Sequence, residues 1–167
     1  MMIAARPASI RPADPKHALA LHASTVCVVT AGTRRRPRAA TVTSVMSLSL
    51  DPPLLAFAVP RSWGPELAWH ASTRGTMHLL HDGQAVLAEA CANPAVDPLD
   101  GFFPWRWDDD AGPVFADAMA WLTIVEAGPQ AVGGLALMVA KVRDVRVRDD
   151  VLPLLRFDSR YLALAVE

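Results

Sequence analysis

The segment Thr41–Val59 reads TVTSVMSLSLDPPLLAFAV, and it restricts the possible folds more than any other part of the chain. Alternate side chains of a strand share a face. Odd positions carry Thr41, Thr43, Val45, Ser47, Ser49 and Asp51; even positions carry Val42, Ser44, Met46, Leu48, Leu50 and Pro52. Hydroxyls therefore line one face and apolar groups the other, except at Ser44–Val45, where the two exchange. A period of two does not suit a helix, and an exchange inside it signals a bulge or a tight turn. The Asp-Pro-Pro that follows suits a turn into a new strand, and LLAFAV (54–59) reads as a short buried one.

The rest of the chain repeats the theme. TVCVVTA (25–31) is rich in β-branched residues; a polar connector, GTRRRPR, joins it to AATVTSVM as a hairpin. TMHLLH (76–81), AMAWLTIVE (118–126) and GGLALMVAKVRDVRV (133–147) read as strands, and RFDSRYLAL (156–164) as a final strand. Helical patterns cover 15–22, PELAWHA (65–71) with proline in its first turn, and GQAVLAEACA (83–92). Residues 93–117 form a long loop-rich connector of the kind that covers a site. Short strands at hairpin spacing with few helices predict a mainly β chain, an antiparallel barrel with helices attached. One domain spans 16–167, after an irregular proline-rich arm at 1–15. Neither strand–helix alternation nor a GxGxxG or GxxxxGK[ST] loop is present.

Charge and composition remove several classes of function. A formal net charge of -1 gives no general attraction to nucleic acid or anionic lipid. No apolar run is long enough to span a bilayer, and the N-terminus lacks a secretory signal. Cys27 and Cys91 lie far apart, which suits a reduced, cytoplasmic protein. His78 and His81 point to opposite faces of a strand and make a poor metal pair, so His78 reads as a core or interface residue. Asp108, Asp109 and Asp110 read as a solvated turn, and Arg34, Arg35, Arg36 and Arg38 as a solvated loop. No metal site is expected.

The hydroxyl row leaves two readings. One is a half-exposed strand whose polar face is wet. The other is a binding edge: a bulge frees backbone N–H groups from the ladder, and nearby hydroxyls join them in holding an acceptor-rich ligand.

RAATVTSVMSLSLDPPLLAFAVPRS resembles the signature region of the flavin reductase-like family, the FMN-binding split barrels. The resemblance continues through GPELAWHASTRGTMHLLHDGQAVLAEACA and FPWRW…GPVFADAMAWLTIVE to LPLLRFDSRYLAL, about residues 20–165. It implies an antiparallel split β-barrel that forms a homodimer and binds FMN or FAD near the subunit interface. It also implies an NAD(P)H:flavin oxidoreductase that supplies reduced flavin to a flavin-dependent monooxygenase. Carried onto this chain, the flavin contacts are Thr41, Thr43, Ser44, Ser47 and Ser49, then Arg61 and Ser62. Trp63 reads as core packing. The family's frequent Gly-Asp-His beside the nicotinamide is Gly133-Gly134-Leu135 here, which removes the hydrogen-bonding group. Three readings follow: a flavin reductase, a split-barrel flavin-binding protein that uses nicotinamide inefficiently, or a barrel without cofactor that serves as an interaction partner.

Overall fold

A computed structural model describes residues 13–61 and 74–164. In chain order it has α1 (Pro15–Ala20), β1 (Ser24–Thr25), β2 (Cys27–Thr33), β3 (Arg36–Val42), β4 (Met46–Leu50), β5 (Pro53–Pro60) and β6 (Arg74–Leu79). There follow α2 (Ala85–Ala92), β7 (Trp105–Asp108), β8 (Gly112–Phe115), β9 (Ala120–Val132), β10 (Leu135–Val147), β11 (Leu154–Phe157) and β12 (Arg160–Ala163). Seven strands make one sheet in the order β3-β2-β6-β9-β10-β5-β4, every pair antiparallel.

Alternation on six of these strands closes the sheet on itself. Cys27, Val29 and Ala31 of β2, Leu55, Phe57 and Val59 of β5, and Ala136, Met138 and Ala140 of β10 share one buried cluster. Val42 of β3, Met77 of β6 and Ile124 of β9 join it. A flat sheet cannot bring β3 and β5 together from opposite ends, so the sheet is curled into a barrel. Its two edges, β3 and β4, are consecutive in the chain yet do not pair, which leaves the barrel split. This is the fold class expected from the pattern of strands.

A second apolar layer lies outside the barrel. Val26 and Val28 turn away from the first cluster and pack with Leu80, Leu87, Ala88, Cys91, Phe115 and Leu154. Here α2 lies on β2 and β3, and the Thr41 hydroxyl donates to the Ala88 carbonyl at 2.6 Å.

Several boundaries differ from those read in the sequence. The polar connector shrinks to Arg34–Arg35, because Thr33 pairs with Arg36; Pro37 is tolerated because β3 is an edge strand. The loop-rich stretch 93–117 contains the ribbon β7–β8, and the tail is a hairpin, β11–β12, turning through positive φ at Asp158 and Ser159. The even positions of β4 do not seal the barrel: Met46, Leu48 and Leu50 are exposed, while Val45 packs against the core. The β4–β5 register slips between Ser47 and Ser49, so Leu48 is a bulge and Leu50 falls on the face opposite Met46. The helix at 65–71, Trp63, Ser62 and most of the arm lie outside the described residues.

His78 is a core residue, as its strand position implied. The Phe115 N–H donates to its Nε2 at 3.0 Å, so the ring proton sits on Nδ1 and is donated to the Val28 carbonyl at 3.1 Å. Burial pushes its pKa down to about 4. Protonation would set a second donor against the Phe115 N–H. The unfolded chain takes up this proton near pH 6.5 and the folded chain near 4, so the stabilisation is complete above 6.5 and is lost as pH falls. Urea unfolding from pH 7.5 to 4.5 should show stability falling with a slope of up to about 1.4 kcal/mol per pH unit from this residue. His78→Gln should flatten that slope.

Candidate functional site

The site is built where the split barrel changes partner. β3 ends at Val42, paired with Cys27, and β4 begins at Met46, paired with Ala56. Residues 43–45 belong to neither ladder. The N–H groups of Thr43, Ser44 and Val45 find no acceptor among the described residues. On the facing strand the Ala58 N–H, which continued pairing would have satisfied, donates instead to Ser44 Oγ at 3.1 Å. Ser44 thus replaces a main-chain carbonyl, and its own hydroxyl proton remains available to an acceptor.

The sequence-derived residues do not share one role. Thr43, Ser44 and Ser47 are exposed at this break; Ser49 is half-buried. Thr41 is half-buried and its proton is committed to α2 through Ala88. Arg61 is exposed at the end of β5, three residues beyond Ala58, roughly 10 Å along an extended chain. Ser62 lies outside the described residues.

Sequence reading missed one contact. The Arg61 N–H donates to the Gly134 carbonyl at 2.9 Å, and Pro60 pairs with Leu135. The residues after β5 and those before β10 therefore form one corner. Gly133 and Gly134 are the two-residue turn between Val132 and Leu135, with Gly133 at φ +58°, a left-handed geometry that glycine adopts freely. A side chain at Gly134 would meet nothing within 4 Å, and Leu135 is 48% exposed. Only the β5–β10 register could have revealed this corner, and no local motif encodes it.

The other polar candidates are spent elsewhere. His81 accepts from the Gly83 N–H at Nδ1 (3.1 Å) and contacts Asp117 through Nε2 (2.9 Å). Asp108 and Asp109 pair with Arg106 and Arg34, each at 2.7 Å, and these partners hold both carboxyls below the usual range. Asp110 pairs with Arg74. Among the described residues no group of three or more His, Cys, Asp or Glu is placed to hold a metal. The break at 43–45, with its unspent donors, suits a flat acceptor-rich molecule, and Arg61 supplies a cation within reach.

Residues 19–165 match the flavin reductase like domain. The chain is 31% identical over 136 residues to the FMN reductase (NADH) SmoA of Agrobacterium fabrum, covering 80% of this chain and 76% of that protein. It is 29% identical over 152 residues to an NADH:FMN oxidoreductase of Rhodococcus qingshengii, covering 89% and 79%. In three dimensions it is similar to the styrene monooxygenase flavin reductase of Pseudomonas putida S12, with a TM-score of 0.80 at 26% identity over 93% of this chain and 99% of that one.

The role of Ser44 as a ladder substitute can be measured without any ligand. Ser44→Ala leaves the Ala58 N–H unpaired and should cost about 1 kcal/mol in urea unfolding. Ser47→Ala, which breaks no bond among the described residues, should stay within about 0.5 kcal/mol. Equal effects would remove the distinction.

Proposed function

The chain belongs to the flavin reductase-like family, and we propose that it is an NAD(P)H-dependent flavin reductase that supplies reduced FMN or FAD to a separate monooxygenase. The observation that carries this reading is the run of unspent donors at Thr43–Val45 beside a ladder that Ser44 terminates. A bound flavin would supply the hydride-accepting ring. The protein's part is to hold and orient. The N–H groups of residues 43–45 and the Thr43, Ser44 and Ser47 hydroxyls would face the polar edge of the ring and stabilise negative charge as it builds there. Arg61 would take the phosphate through parallel hydrogen bonds. Ser49 and Ser62 would extend the same set, and Thr41 would act through α2, which it fastens to β3. Hydride transfer needs close approach of the two rings and no protein acid or base.

A second reading has its own support. The corner at Gly134 and Leu135 is open, and neither residue offers nicotinamide a side-chain hydrogen bond. This favours loose nicotinamide binding on an intact flavin site.

Met46, Leu48 and Leu50 are exposed on an edge strand, where apolar side chains are a liability unless covered. We place a second copy of the chain there, forming a homodimer. Both thiols are buried and free, and burial pushes each up to about 12, which fits a reduced cytoplasmic protein. Among the described residues no helix is long and apolar enough to cross a membrane.

Mixing the protein with NADH and FMN should consume NADH, followed at its absorbance band. Tight FMN binding without that loss would favour the second reading, and no FMN affinity would sink both. Thr43→Val with Ser44→Val should weaken FMN binding by about tenfold or more, the worth of one to two hydrogen bonds. Gly134→Asp with Leu135→His should lower the KM for NADH by about fivefold on the same scale. Sedimentation equilibrium should give twice the chain mass, and Leu48→Lys should return it to a monomer.

A further inference from the structure

The barrel carries a concave site on its outer surface, apart from the break at 43–45. It is a cavity of about 640 Å³ between the β7–β8 ribbon and the outer face of β6, β9 and the far end of β10. Volumes of this size are typical of small-molecule sites. We propose that it binds a small aromatic monoanion, an aryl carboxylate or its equivalent.

The ribbon forming one wall is fixed by buried polar groups. The Thr30 hydroxyl donates to the Pro113 carbonyl, the Thr76 hydroxyl to the Ala111 carbonyl at 2.9 Å, and His78 receives the Phe115 N–H. The cavity is therefore held open by the fold. Trp121 of β9 lines it and donates its Nε1–H to the Phe115 carbonyl at 2.9 Å. Its indole N–H is spent, so a ligand meets ring surface, flanked by Val114 and Val125. Such a surface selects a flat apolar body.

The opposite wall is shaped by a bulge. The register of β10 on β9 slips between Val142, opposite Ile124, and Asp144, opposite Thr123. Arg143 is the extra residue. Val142 packs toward the barrel core, while Arg143 and Asp144 both line the cavity. A bulge re-aims side chains in this way. Regular alternation would have put Arg143 and Asp144 on opposite faces.

Charge fixes the sign and size of the guest. Four guanidiniums line the cavity, those of Arg74, Arg106, Arg143 and Arg146, against three carboxylates, Asp108, Asp110 and Asp144. Arg74 pairs with Asp110, Arg106 with Asp108, and Arg146 with Asp144. Arg143 has no carboxylate partner among the described residues, which leaves one positive charge and a planar fork suited to one carboxylate. The Thr123 hydroxyl, also without a partner among the described residues, adds a donor on the cavity floor. A dianion such as phosphate would meet three carboxylates on the rim, so a singly charged ligand fits better. None of these groups belongs to the proposed flavin contacts, so the inference stands independently of that assignment.

Titration calorimetry with 2-naphthoate, its neutral analogue 2-naphthylmethanol, and inorganic phosphate tests the inference. Saturable one-to-one binding of naphthoate is expected, with naphthylmethanol about tenfold weaker or more. Arg143→Gln should weaken naphthoate about tenfold, leave naphthylmethanol unchanged, and leave FMN-dependent NADH oxidation intact as evidence of folding. Absence of saturable naphthoate binding, equal naphthoate affinity in R143Q, or tighter binding of phosphate than naphthoate would each overturn it.

Discussion

The structure depends on how one sheet fills its own interior. Six strands send alternate apolar side chains into a single cluster, so the sheet must curl until β3 and β5 touch the same core. Curling brings β3 against β5, while β3 and β4 are joined by only three residues and do not pair. Residues 43–45 cross the seam instead. The backbone donors left over there, and the Ser44 hydroxyl that stands in for one missing carbonyl, are consequences of closure.

Polar satisfaction follows the same logic on the outer surface. Thr30, Thr76 and His78 are buried polar residues on β2 and β6, and each meets a main-chain group of the β8 region. Three side chains thereby do what a further ladder would have done, and they hold a short ribbon against a sheet it does not pair with. The surrounding carboxylates and guanidiniums are mostly paired with the opposite charge, which leaves Arg143 distinctive.

Much of this was legible in the sequence because it is local. The exchange of hydroxyl and apolar residues at Ser44–Val45 marks the seam within a residue or two, and the positions of most strands follow from alternation and proline. His78 declared itself by sitting in an apolar strand with no ligand partner. The long-range features were not legible. Nothing near Arg61 announces the Gly134 carbonyl, since that contact depends on the β5–β10 register. The even residues of β4 do not share a face, because a bulge at Leu48 breaks the alternation, and only the β4–β5 register reveals it. The β7–β8 ribbon was hidden because WRWD and GPVF are too short to show a period.

The bore itself holds Phe57, Met77 and Met138 among alanines 31, 40, 136 and 140, and all of them are buried. Such a plug is solid. Any guest must therefore dock along a joint in the wall, with one flank still wetted. Loading and unloading then require only that surface contacts be made and broken, and the barrel need never breathe.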